Sequence, residues 1–447
     1  MHNGDVCNLG SVNFGELVTI VDELLNFDFW FDNVIPENIH RRRIIVLDKN
    51  GICSQVTTSI NDLCVSPLNV KAIYVFHQYN SQRKLVKIDM ELLSHVVSIA
   101  IDAMDNVIDH YIFPIPDFEK TAQNHRRIGL GMMGVADMFL KAGIGYGEPI
   151  AMEILALVMD VFNKSACKAS EELAEKYGVF PSWSTSYWGE KGIKRRNAAV
   201  TCCAPTGSIA LLIAMVMNGI EPFFNLAYQY DNLADKNAKP EIINPYVKEW
   251  CEFFEIYITD DIMEDVKMNG IFSNMKFPKD MRPLFACAMD LTPEQHIRIQ
   301  STTQKYLENS ISKTINYPKD ATVEDIKKGI MLMYDEGCWG GTVYVDESRQ
   351  YQVLYTYASS KKRKTFIFED FDVIIPPTLR AILEKQDEED SMHHSMSDTP
   401  TLSPISSLSG DSSPTSIDEI YDKMLDEKLS SSGQLYTGCR NGSCSLK

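Results

Sequence analysis

The chain has 447 residues, about three times the usual length of one domain, so two or three domains or one large barrel are expected. Its composition, 45% hydrophobic and 23% charged, excludes a chain that is disordered or coiled-coil throughout. Lys and Arg total 43 against 61 Asp and Glu, and the net charge of −18 opposes the phosphate neutralisation on which nucleic-acid affinity depends. We therefore expect no nucleic-acid partner.

The cellular compartment is indicated by signals that the sequence lacks. No apolar run of about 18 residues could span a membrane, and the first residues carry neither the basic nor the apolar region of a secretion signal. The 11 cysteines are too sparse for a secreted disulfide scaffold. A cytoplasmic protein without a membrane partner is expected. The nine histidines show no ligand spacing, so no metal site is predicted. His125 and His296 are interpreted as satisfied core or surface groups.

Helical periodicity begins only after an N-terminal region that gives little signal. Residues 1–20 form a compact apolar-polar stretch, and residues 21–85 match no element. Over residues 86–108 apolar side chains recur at helical spacing, and this helix must end before Pro114. The Glu, Lys and Ala content of residues 149–177 predicts a second helix.

A strand, a turn and a helix follow one another near the middle of the chain. Residues 198–203 are small and apolar, which fits a strand that is covered on both faces. Residues 205–207 predict a turn, and residues 209–217 predict a buried helix that stops at Asn218 and Gly219. This order indicates an α/β architecture.

The C-terminal third contains two further predicted helices, residues 293–311 and 322–337, and a short strand, residues 342–345. Thr322 begins the second helix as the first residue of a capping-box pattern. Beyond about residue 386 the sequence is rich in Ser, Asp and Pro and nearly free of aliphatic residues. Such a segment cannot bury enough surface to offset its ordering entropy, so a disordered tether is predicted.

The turn APTGS is a candidate phosphate-binding site. Backbone amides at the start of a helix are unpaired and carry the positive end of the helix dipole. Gly207 allows close approach of the backbone, and the hydroxyls of Thr206 and Ser208 add donors. An ordinary strand-to-helix turn is the alternative, and the local pattern alone favours it, because it is much weaker than a Walker loop. The substrate-binding candidates are Ala204, Pro205, Thr206, Gly207 and Ser208.

Two cysteines near the C-terminus, Cys439 and Cys444, are candidates for thiol–disulfide exchange. Glycines around them allow the loop to close a disulfide, and Arg440 favours the reactive thiolate. A zinc site would need about four ligands, and the tail supplies only two cysteines. Idle surface thiols remain the other alternative. Cys7 alone says little, because a single cysteine is usually a small buried hydrophobe.

A glycine set in the segment RIGLGMMG imitates a dinucleotide-binding fingerprint. Gly129, Gly131 and Gly134 have the GxGxxG spacing, but no predicted strand precedes them and no clear acidic residue follows about 20 residues later. We interpret these glycines as sites of close helix packing.

Six segments, in the family's order, resemble the large catalytic chain of ribonucleotide reductases. The sequences of these segments are most similar to the adenosylcobalamin-dependent, class II branch. The resemblance covers about residues 3–20 and 86–355. The segments are DVCNLGSVNF, DNVIDHYIFPIPDFE, RRIGLGMMGVADMFLKAGIGY, KASEELAEKYGVFPSW, RNAAVTCCAPTGSIA with NGIEPFFNLAY, and HIRIQSTTQKYLENSISKTINYP through GGTVYVDESRQ.

The resemblance implies a fold and a domain organisation. The fold is the C-terminal portion of the ten-stranded α/β barrel of ribonucleotide reductases, followed by a disordered C-terminal tether. The implied divisions are the start of the barrel portion (1–20), an atypical insertion (21–85), the main barrel portion (86–375), a Ser/Asp/Pro-rich linker (386–434) and a redox-active cysteine tail (435–447).

The resemblance also implies roles for the candidate residues. Cys7 is similar to one half of the dithiol that reduces the ribose, and Ala204–Ser208 are similar to the turn that grips the substrate's phosphates. Residues 218–222 shape the floor of the site. Cys439 and Cys444 resemble the shuttle dithiol that re-reduces the active site and is recharged by thioredoxin or glutaredoxin. The implied substrate is a ribonucleotide, and the tail dithiol and the motif sequences favour a diphosphate.

The implied cofactor is adenosylcobalamin, whose cobalt–carbon bond breaks to leave a thiyl radical on a cysteine. A dry barrel core protects that radical from quenching. The diiron-dependent class I branch, which relays the radical through adjacent tyrosines, is the alternative. Here the corresponding strand reads GTVYV, in which Tyr344 has no adjacent tyrosine in the sequence. A glycyl-radical motif is not found.

The sequence departs from the family in its first residues. The loop that carries the radical cysteine precedes the CNLGS motif in the family, whereas Met1 stands only six residues before Cys7. The resemblance therefore implies that the radical cysteine, the partner of Cys7 and the N-terminal half of the barrel are absent from this sequence. The expected protein is therefore a reductase portion that needs a separately encoded N-terminal half, and a homodimer is a further arrangement to consider. A truncated, non-catalytic fragment that still binds phosphate is the alternative. Trp339 and Val345 also stand where basic residues are common.

Overall fold

The computed structural model describes residues 6–21, 40–49, 53–56, 70–210, 216–229, 241–262, 277, 281–346 and 348. The predicted linker, residues 386–434, and cysteine tail, residues 435–447, lie outside the described residues. The strands are β1 Asn8–Asn13, β2 Val18–Ile20, β3 His40–Asp48, β4 Cys53–Val56, β5 Val70–Tyr79, β6 Gln82–Asp89, β7 Ile128–Met133, β8 Ala227–Gln229, β9 Glu241–Ile243, β10 Thr314–Tyr317 and β11 Thr342–Val345. The helices are α1 Met90–His110, α2 Pro116–His125, α3 Val135–Lys141, α4 Pro149–Tyr177, α5 Tyr187–Glu190, α6 Gly207–Ile209, α7 Pro245–Phe253, α8 Pro293–Gln304 and α9 Val323–Asp335.

Parallel strands form one part of the fold. β1 pairs in parallel with β7, so that Leu9 stands opposite Gly129. On the other edge of β7, the amide of Cys202 donates to Leu130 O at 3.0 Å, and Leu130 and Thr201 form a parallel bridge. The predicted strand over residues 198–203 is therefore present as a short extended segment beside β7.

The parallel arrangement continues towards the C-terminus. Cys203 and Ile311 form a further parallel bridge, and β10, which follows Ile311, pairs in parallel with β11. Parallel neighbours require crossover connections, which α1 to α4 provide before residues 199–203 and α9 provides between β10 and β11. The order β1, β7, 199–203, β10 and β11 agrees with the expected α/β barrel portion.

An antiparallel sheet occupies much of the predicted insertion, residues 21–85, for which the sequence indicated no element. Its strand order is β2, β6, β5, β3, β4. The helix expected from residue 86 begins only at Met90, because residues 86–89 complete β6 opposite β5. Asp89 then starts α1, as its side chain accepts a hydrogen bond from the amide of Leu92 at 2.9 Å.

The antiparallel sheet and the parallel strands share one hydrophobic core. Ile73 and Val75 of β5 are completely buried and belong to the same apolar cluster as Leu93 of α1 and Ile128 of β7. Arg42 of β3 adds a polar contact, because its guanidinium donates to the carboxylate of Glu148 at 2.9 Å. The described strands β3 and β5 of segment 21–85 therefore contribute to the core of the barrel portion.

The predicted helices agree with the structure to different extents. Residues 149–177 form α4 with the predicted limits, and the capping box at Thr322 is present. The helix predicted over residues 293–311 ends at Gln304. Of the helix predicted over residues 209–217, residues 211–215 lie outside the described part. No helix among the described residues is both long and apolar enough to cross a membrane.

Candidate active site

Two thiols meet over a glycine of the central parallel strand. A Cβ atom added to Gly129 would lie 2.6 Å from the Sγ of Cys202 and 2.9 Å from the Sγ of Cys7. The two sulfur atoms are therefore no more than about 5.5 Å apart. Cys7 comes directly before β1 and Cys202 lies on the opposite side of β7, so only a residue without a side chain leaves room for both.

This arrangement corrects our interpretation of the glycine set as close helix packing. Gly129 and Gly131 lie within strand β7. At Gly131 an added Cβ would come within 2.4 Å of the carbonyl oxygen of Cys202. The glycines allow close approach of strands and thiols, and the absence of side chains hid the strand from a pattern search.

The two cysteines differ in burial. Cys7 is half-buried, and Cys202 is buried with its Sγ donating to the carbonyl oxygen of Gly129 at 3.4 Å. Loss of hydration raises the pKa of the Cys202 thiol to about 11 and that of the neighbouring Cys203 to about 12. Cys202 therefore retains its proton at neutral pH, which favours donation of hydrogen over spontaneous attack as a thiolate.

The candidate phosphate turn begins immediately after these cysteines. Thr206 has a left-handed backbone with φ of 58°, and its buried Oγ1 accepts a hydrogen bond from the amide of Gly219 at 2.9 Å. Pro205, Gly207 and Ser208 are exposed, and no atom would lie within 4 Å of a Cβ added to Gly207. The turn is thus anchored on one side and open on the other.

A buried polar cluster holds the segment that anchors this turn. The ammonium of Lys313 donates to a carboxylate oxygen of Glu221 at 2.5 Å and lies 3.1 Å from His296 Nδ1. His296 Nε2 contacts the carbonyl oxygen of Ala288 at 3.0 Å, so this nitrogen carries the proton and Nδ1 accepts from Lys313. The prediction that His296 is a satisfied group is confirmed.

The ionisation of this cluster follows from its burial. Removal from water lowers the pKa of Lys313, while the carboxylate of Glu221 acts in the opposite direction. Removal from water also lowers the pKa of His296 well below its ordinary value, and the nearby Lys313 charge adds to this. The imidazole is therefore neutral at physiological pH and serves as an acceptor.

The structure bears on some of the predicted site residues and not on others. It places Cys7 beside Cys202. Cys202 lies two residues before the turn formed by Ala204–Ser208. The predicted shuttle cysteines Cys439 and Cys444 lie outside the described residues, so their role stays a prediction. Sequence reasoning missed Cys202 as a site residue, and only the adjacent glycine fingerprint could have suggested that a thiol approaches the strand there.

Further site residues missed from the sequence are the ion pair of Glu221 and Lys313. Their signal was weak, because a single acidic residue after NGI and a single lysine before TINYP do not reveal a pair 92 residues apart in the chain. Among the described residues, no group of three or more His, Cys, Asp or Glu is placed to hold a metal ion.

Comparison with known proteins gives a consistent result. The family model for the ribonucleotide reductase barrel domain matches residues 2–194 and 190–344. A vitamin B12-dependent ribonucleoside-diphosphate reductase of Thermoplasma acidophilum is 38% identical over 277 residues, which are 62% of this chain and 36% of that protein. The protein of the same name from Mycobacterium tuberculosis is 34% identical over 62% of this chain and 38% of its own length.

A more distant relative has a different name. The ribonucleoside-diphosphate reductase subunit alpha of Chlamydia pneumoniae is 24% identical over 63% of this chain and 30% of its own length. The chain thus spans little more than a third of the length of the two vitamin B12-dependent relatives. Because the family model covers most of the sequence, the chain belongs to the ribonucleotide reductase barrel-domain family.

Proposed function

We propose that this chain takes part in the reduction of ribonucleotides, most simply ribonucleoside diphosphates, to 2′-deoxyribonucleotides. The observation that carries the proposal is the position of Cys7, which lies at the parallel strands beside the segment that leads into the Ala204–Ser208 turn. A reducing thiol and a phosphate-binding turn are the two parts that this reaction requires. The relatives named ribonucleoside-diphosphate reductases support the choice of substrate.

The turn would bind the phosphates through its exposed backbone. The open surroundings of Gly207 leave space for an anion, and the hydroxyl of Ser208 is exposed. Thr206 acts mainly as an anchor, since its Oγ1 already accepts from Gly219, although its own hydroxyl hydrogen can still be donated. Phosphate binding therefore depends on the turn being held in place by residues 218–222.

The reducing electrons would come from a dithiol that includes Cys7. Replacement of the 2′-hydroxyl by hydrogen releases water and consumes two electrons and two protons, which two thiols supply as they form a disulfide. Cys439 and Cys444 would return the disulfide to thiols by exchange, and thioredoxin or glutaredoxin would then reduce the tail. These assignments rest on the family pattern and on the position of Cys7.

Adenosylcobalamin is the proposed cofactor, since two relatives are named as vitamin B12-dependent. When bound, it supplies a radical through cleavage of its cobalt–carbon bond. The described residues fit such chemistry in one respect, because burial keeps the Cys202 thiol in its protonated form. We assign no described residue to holding the corrin.

Two other functions remain as alternatives. A class I large subunit is favoured by the Chlamydia relative named subunit alpha, but Tyr344 has no adjacent tyrosine in β11, so the tyrosine relay of that branch is not evident. A non-catalytic phosphate-binding protein would need the open turn but not the thiols. Both alternatives predict no cobalamin-dependent turnover.

Nucleotide binding and turnover can be measured separately. We expect the full chain to bind a ribonucleoside diphosphate in equilibrium dialysis, and Thr206→Ala to weaken binding at least tenfold while Thr206→Ser retains it. Turnover would be measured with adenosylcobalamin and thioredoxin, for the chain alone and with the N-terminal part of the Thermoplasma protein added. Absence of nucleotide binding, or binding that is equal in all three proteins, would contradict the proposal.

A further inference from the structure

A buried carboxylate that the proposed reaction does not use contacts the segment that holds the Ala204–Ser208 turn. Asp137 of α3 is buried, and its carboxylate accepts a hydrogen bond from the amide of Met217. We propose that Asp137 is a positioning residue for this turn, and that its negative charge strengthens the hold on Met217 and thereby the affinity of the turn for phosphate. This inference rests on the proposed function for its ligand, a ribonucleoside diphosphate, whereas its structural part can be tested without nucleotide.

The first step of the argument is how the start of α3 holds Met217. The amide of Met217 donates to a carboxylate oxygen of Asp137 at 2.8 Å, and its carbonyl oxygen accepts from the amide of Gly134 at 2.8 Å. Gly134 has a left-handed backbone with φ of 70°, and a Cβ added to it would lie 3.3 Å from the Cβ of Val216. One turn at the beginning of α3 therefore satisfies both backbone polar groups of Met217.

The second step is the connection from both sides of Met217 to the turn. The amide of Val216 donates to the carbonyl oxygen of Ala210 at 3.1 Å, and the amide of Ala210 donates to that of Thr206 at 2.8 Å. On the other side, the amide of Gly219 donates to Thr206 Oγ1 at 2.9 Å. Thr206 is thus tied, through its carbonyl and its hydroxyl, to residues that flank Met217. A displacement of Met217 is therefore expected to move the turn.

The third step concerns the charge of Asp137. Burial raises the pKa of its carboxyl to about 6, so at neutral pH an ionised carboxylate occupies a place where a neutral amide would cost less. A hydrogen bond to an ionised acceptor is about twice as strong as one to a neutral acceptor. A side chain whose charge lowers stability while it strengthens one contact is a candidate for a functional role. Acidification through pH 6 should therefore weaken the hold on Met217.

Other titratable groups lie around α3, and their effects must be separated from that of Asp137. Lys141, one turn further along α3, is the charge that acts on the Asp137 carboxylate. Lys141 contacts the exposed Glu16 at 3.3 Å and lies 4.8 Å from the ring centre of Tyr246 in α7. Strand β2, which also contacts α3, has the sequence VTI and no titratable side chain. On the segment held by α3, the first charged side chain is that of Glu221. Because these groups are unchanged in Asp137→Asn, the ratio of affinities between wild type and variant isolates the titration of Asp137.

The binding test uses the full chain and ADP, in equilibrium dialysis between pH 5 and pH 8. At pH 8 the wild type should bind ADP at least about threefold more tightly than Asp137→Asn and about tenfold more tightly than Asp137→Ala, whereas at pH 5 wild type and Asp137→Asn should agree within about twofold. The matched control is Asp160→Asn. Burial also raises the pKa of the half-buried Asp160, but its carboxylate accepts from Lys164 within α4, so its profile should follow the wild type.

Hydrogen exchange at neutral pH provides a readout that needs no nucleotide. The amides of Met217 and Gly219 would be followed individually by mass spectrometry with electron-transfer dissociation. Asp137→Ala should speed the exchange of both amides by at least about tenfold, Asp137→Asn should speed it less, and Asp160→Asn should leave it unchanged. Unchanged exchange within α4 of Asp137→Ala would show that the variant is folded and that the effect is local.

Several results would overturn the inference. The ratio of affinities could stay constant with pH or favour the wild type on acidification, or exchange could become faster at Met217 without any change at Gly219. Failure of the proposed function would look different. Absence of ADP binding to the wild type, with coupled exchange at Met217 and Gly219, would reject the turn as a phosphate site and leave Asp137 as its positioning residue. Binding of ADP that is equal in wild type and Asp137→Ala would reject only the role of Asp137.

Discussion

Lys313 and Glu221 form an ion pair that joins the turn after the Ala204–Ser208 segment to the start of β10. The Lys313 side chain is completely buried, and the second oxygen of Glu221 accepts from the amide of Thr314 at 2.7 Å. Both carboxylate oxygens of Glu221 therefore accept hydrogen bonds from residues at the start of β10. Because Gly219 in the same turn anchors Thr206, this ion pair indirectly supports the shape of the Ala204–Ser208 turn.

The buried ion pair predicts a large effect when only one partner is removed. Lys313→Met should lower the free energy of unfolding by about 3–5 kcal/mol, because it leaves the Glu221 carboxylate without its cation. The double variant with Glu221→Gln should recover part of this loss. Lys327→Met, which breaks an exposed pair with Glu324, should change stability by less than about 0.5 kcal/mol. Urea unfolding would measure all four proteins, and equal effects at Lys313 and Lys327 would contradict the argument.

Asp137 predicts a pH-dependent stability. Its carboxyl accepts from the amide of Met217 at 2.8 Å, but burial dominates and raises its pKa from 3.8 to about 6. The folded state therefore holds the proton more tightly than the unfolded state, so this group's contribution is fully present below about pH 4 and is lost as pH rises through 6. At neutral pH the loss amounts to about 3 kcal/mol at most.

The variant Asp137→Asn tests this dependence, because its amide oxygen can still accept from Met217 and carries no charge. The difference in unfolding free energy between variant and wild type should grow in favour of the variant as pH rises from 4 to 7. Urea titrations at several pH values would measure it. A difference that stays constant with pH would show that Asp137 does not titrate in this range.

Thr206 combines a strained backbone with an anchoring hydroxyl. Thr206→Ala should destabilise the fold by about 1–3 kcal/mol, because the Gly219 amide loses its acceptor while the left-handed φ remains. Thr206→Gly should lose less, because glycine relieves the strain. Thr206→Ser, which keeps the hydroxyl, should be close to the wild type. Thermal unfolding would rank the variants, and a ranking with Gly below Ala would be inconsistent with strain at this position.

The antiparallel sheet predicts that the segment 21–85 unfolds together with the barrel portion. Ile73→Ala in β5 should cost about 2–5 kcal/mol in one cooperative transition, because Ile73 is completely buried in the shared core. Ile99→Ala, on the exposed side of α1, should cost less than about 0.5 kcal/mol. Separate transitions monitored by circular dichroism and tryptophan fluorescence would show instead that the sheet is an independent unit.

Elements with local signals could be predicted from the sequence. The limits of α4 follow from Pro149 in its first turn and Gly178 at its end, where φ is 85°. By contrast, α8 was predicted too long, because residues 305–311 have a helical composition but Glu308 is drawn into an ion pair with the buried Arg195. That pairing is a tertiary contact across 113 residues, which no local pattern reveals.

The candidate site also has one part that could be predicted from the sequence and another that could not. The APTGS turn could be located from Pro205 and Gly207, whose backbone preferences are local. The meeting of Cys7 with Cys202 could not, because it depends on the register of β7 between two other extended segments and on the missing side chain of Gly129. The Arg-rich start of β3 likewise concealed a strand, since Arg42 is stabilised by the distant Glu148.

Gly131 lies where β7 and the segment 199–203 approach each other closely enough to exclude a side chain. Gly131→Ala would place its Cβ 2.4 Å from the carbonyl oxygen of Cys202, and backbone atoms cannot yield as a flexible side chain can. The variant should therefore lose several kcal/mol of unfolding free energy, as expected for overpacking in a well-packed core. It should also move the carbonyl group of Cys202 away from β7.

The matched control is Gly340→Ala, because no atom lies within 4 Å of the added Cβ at this exposed position. Its unfolding free energy should stay within about 0.5 kcal/mol of the wild type. Urea unfolding would be measured for both variants and for the wild type. If Gly131→Ala were as stable as the control, the carbonyl of Cys202 would not lie against β7, and the close approach of the two segments would be wrong.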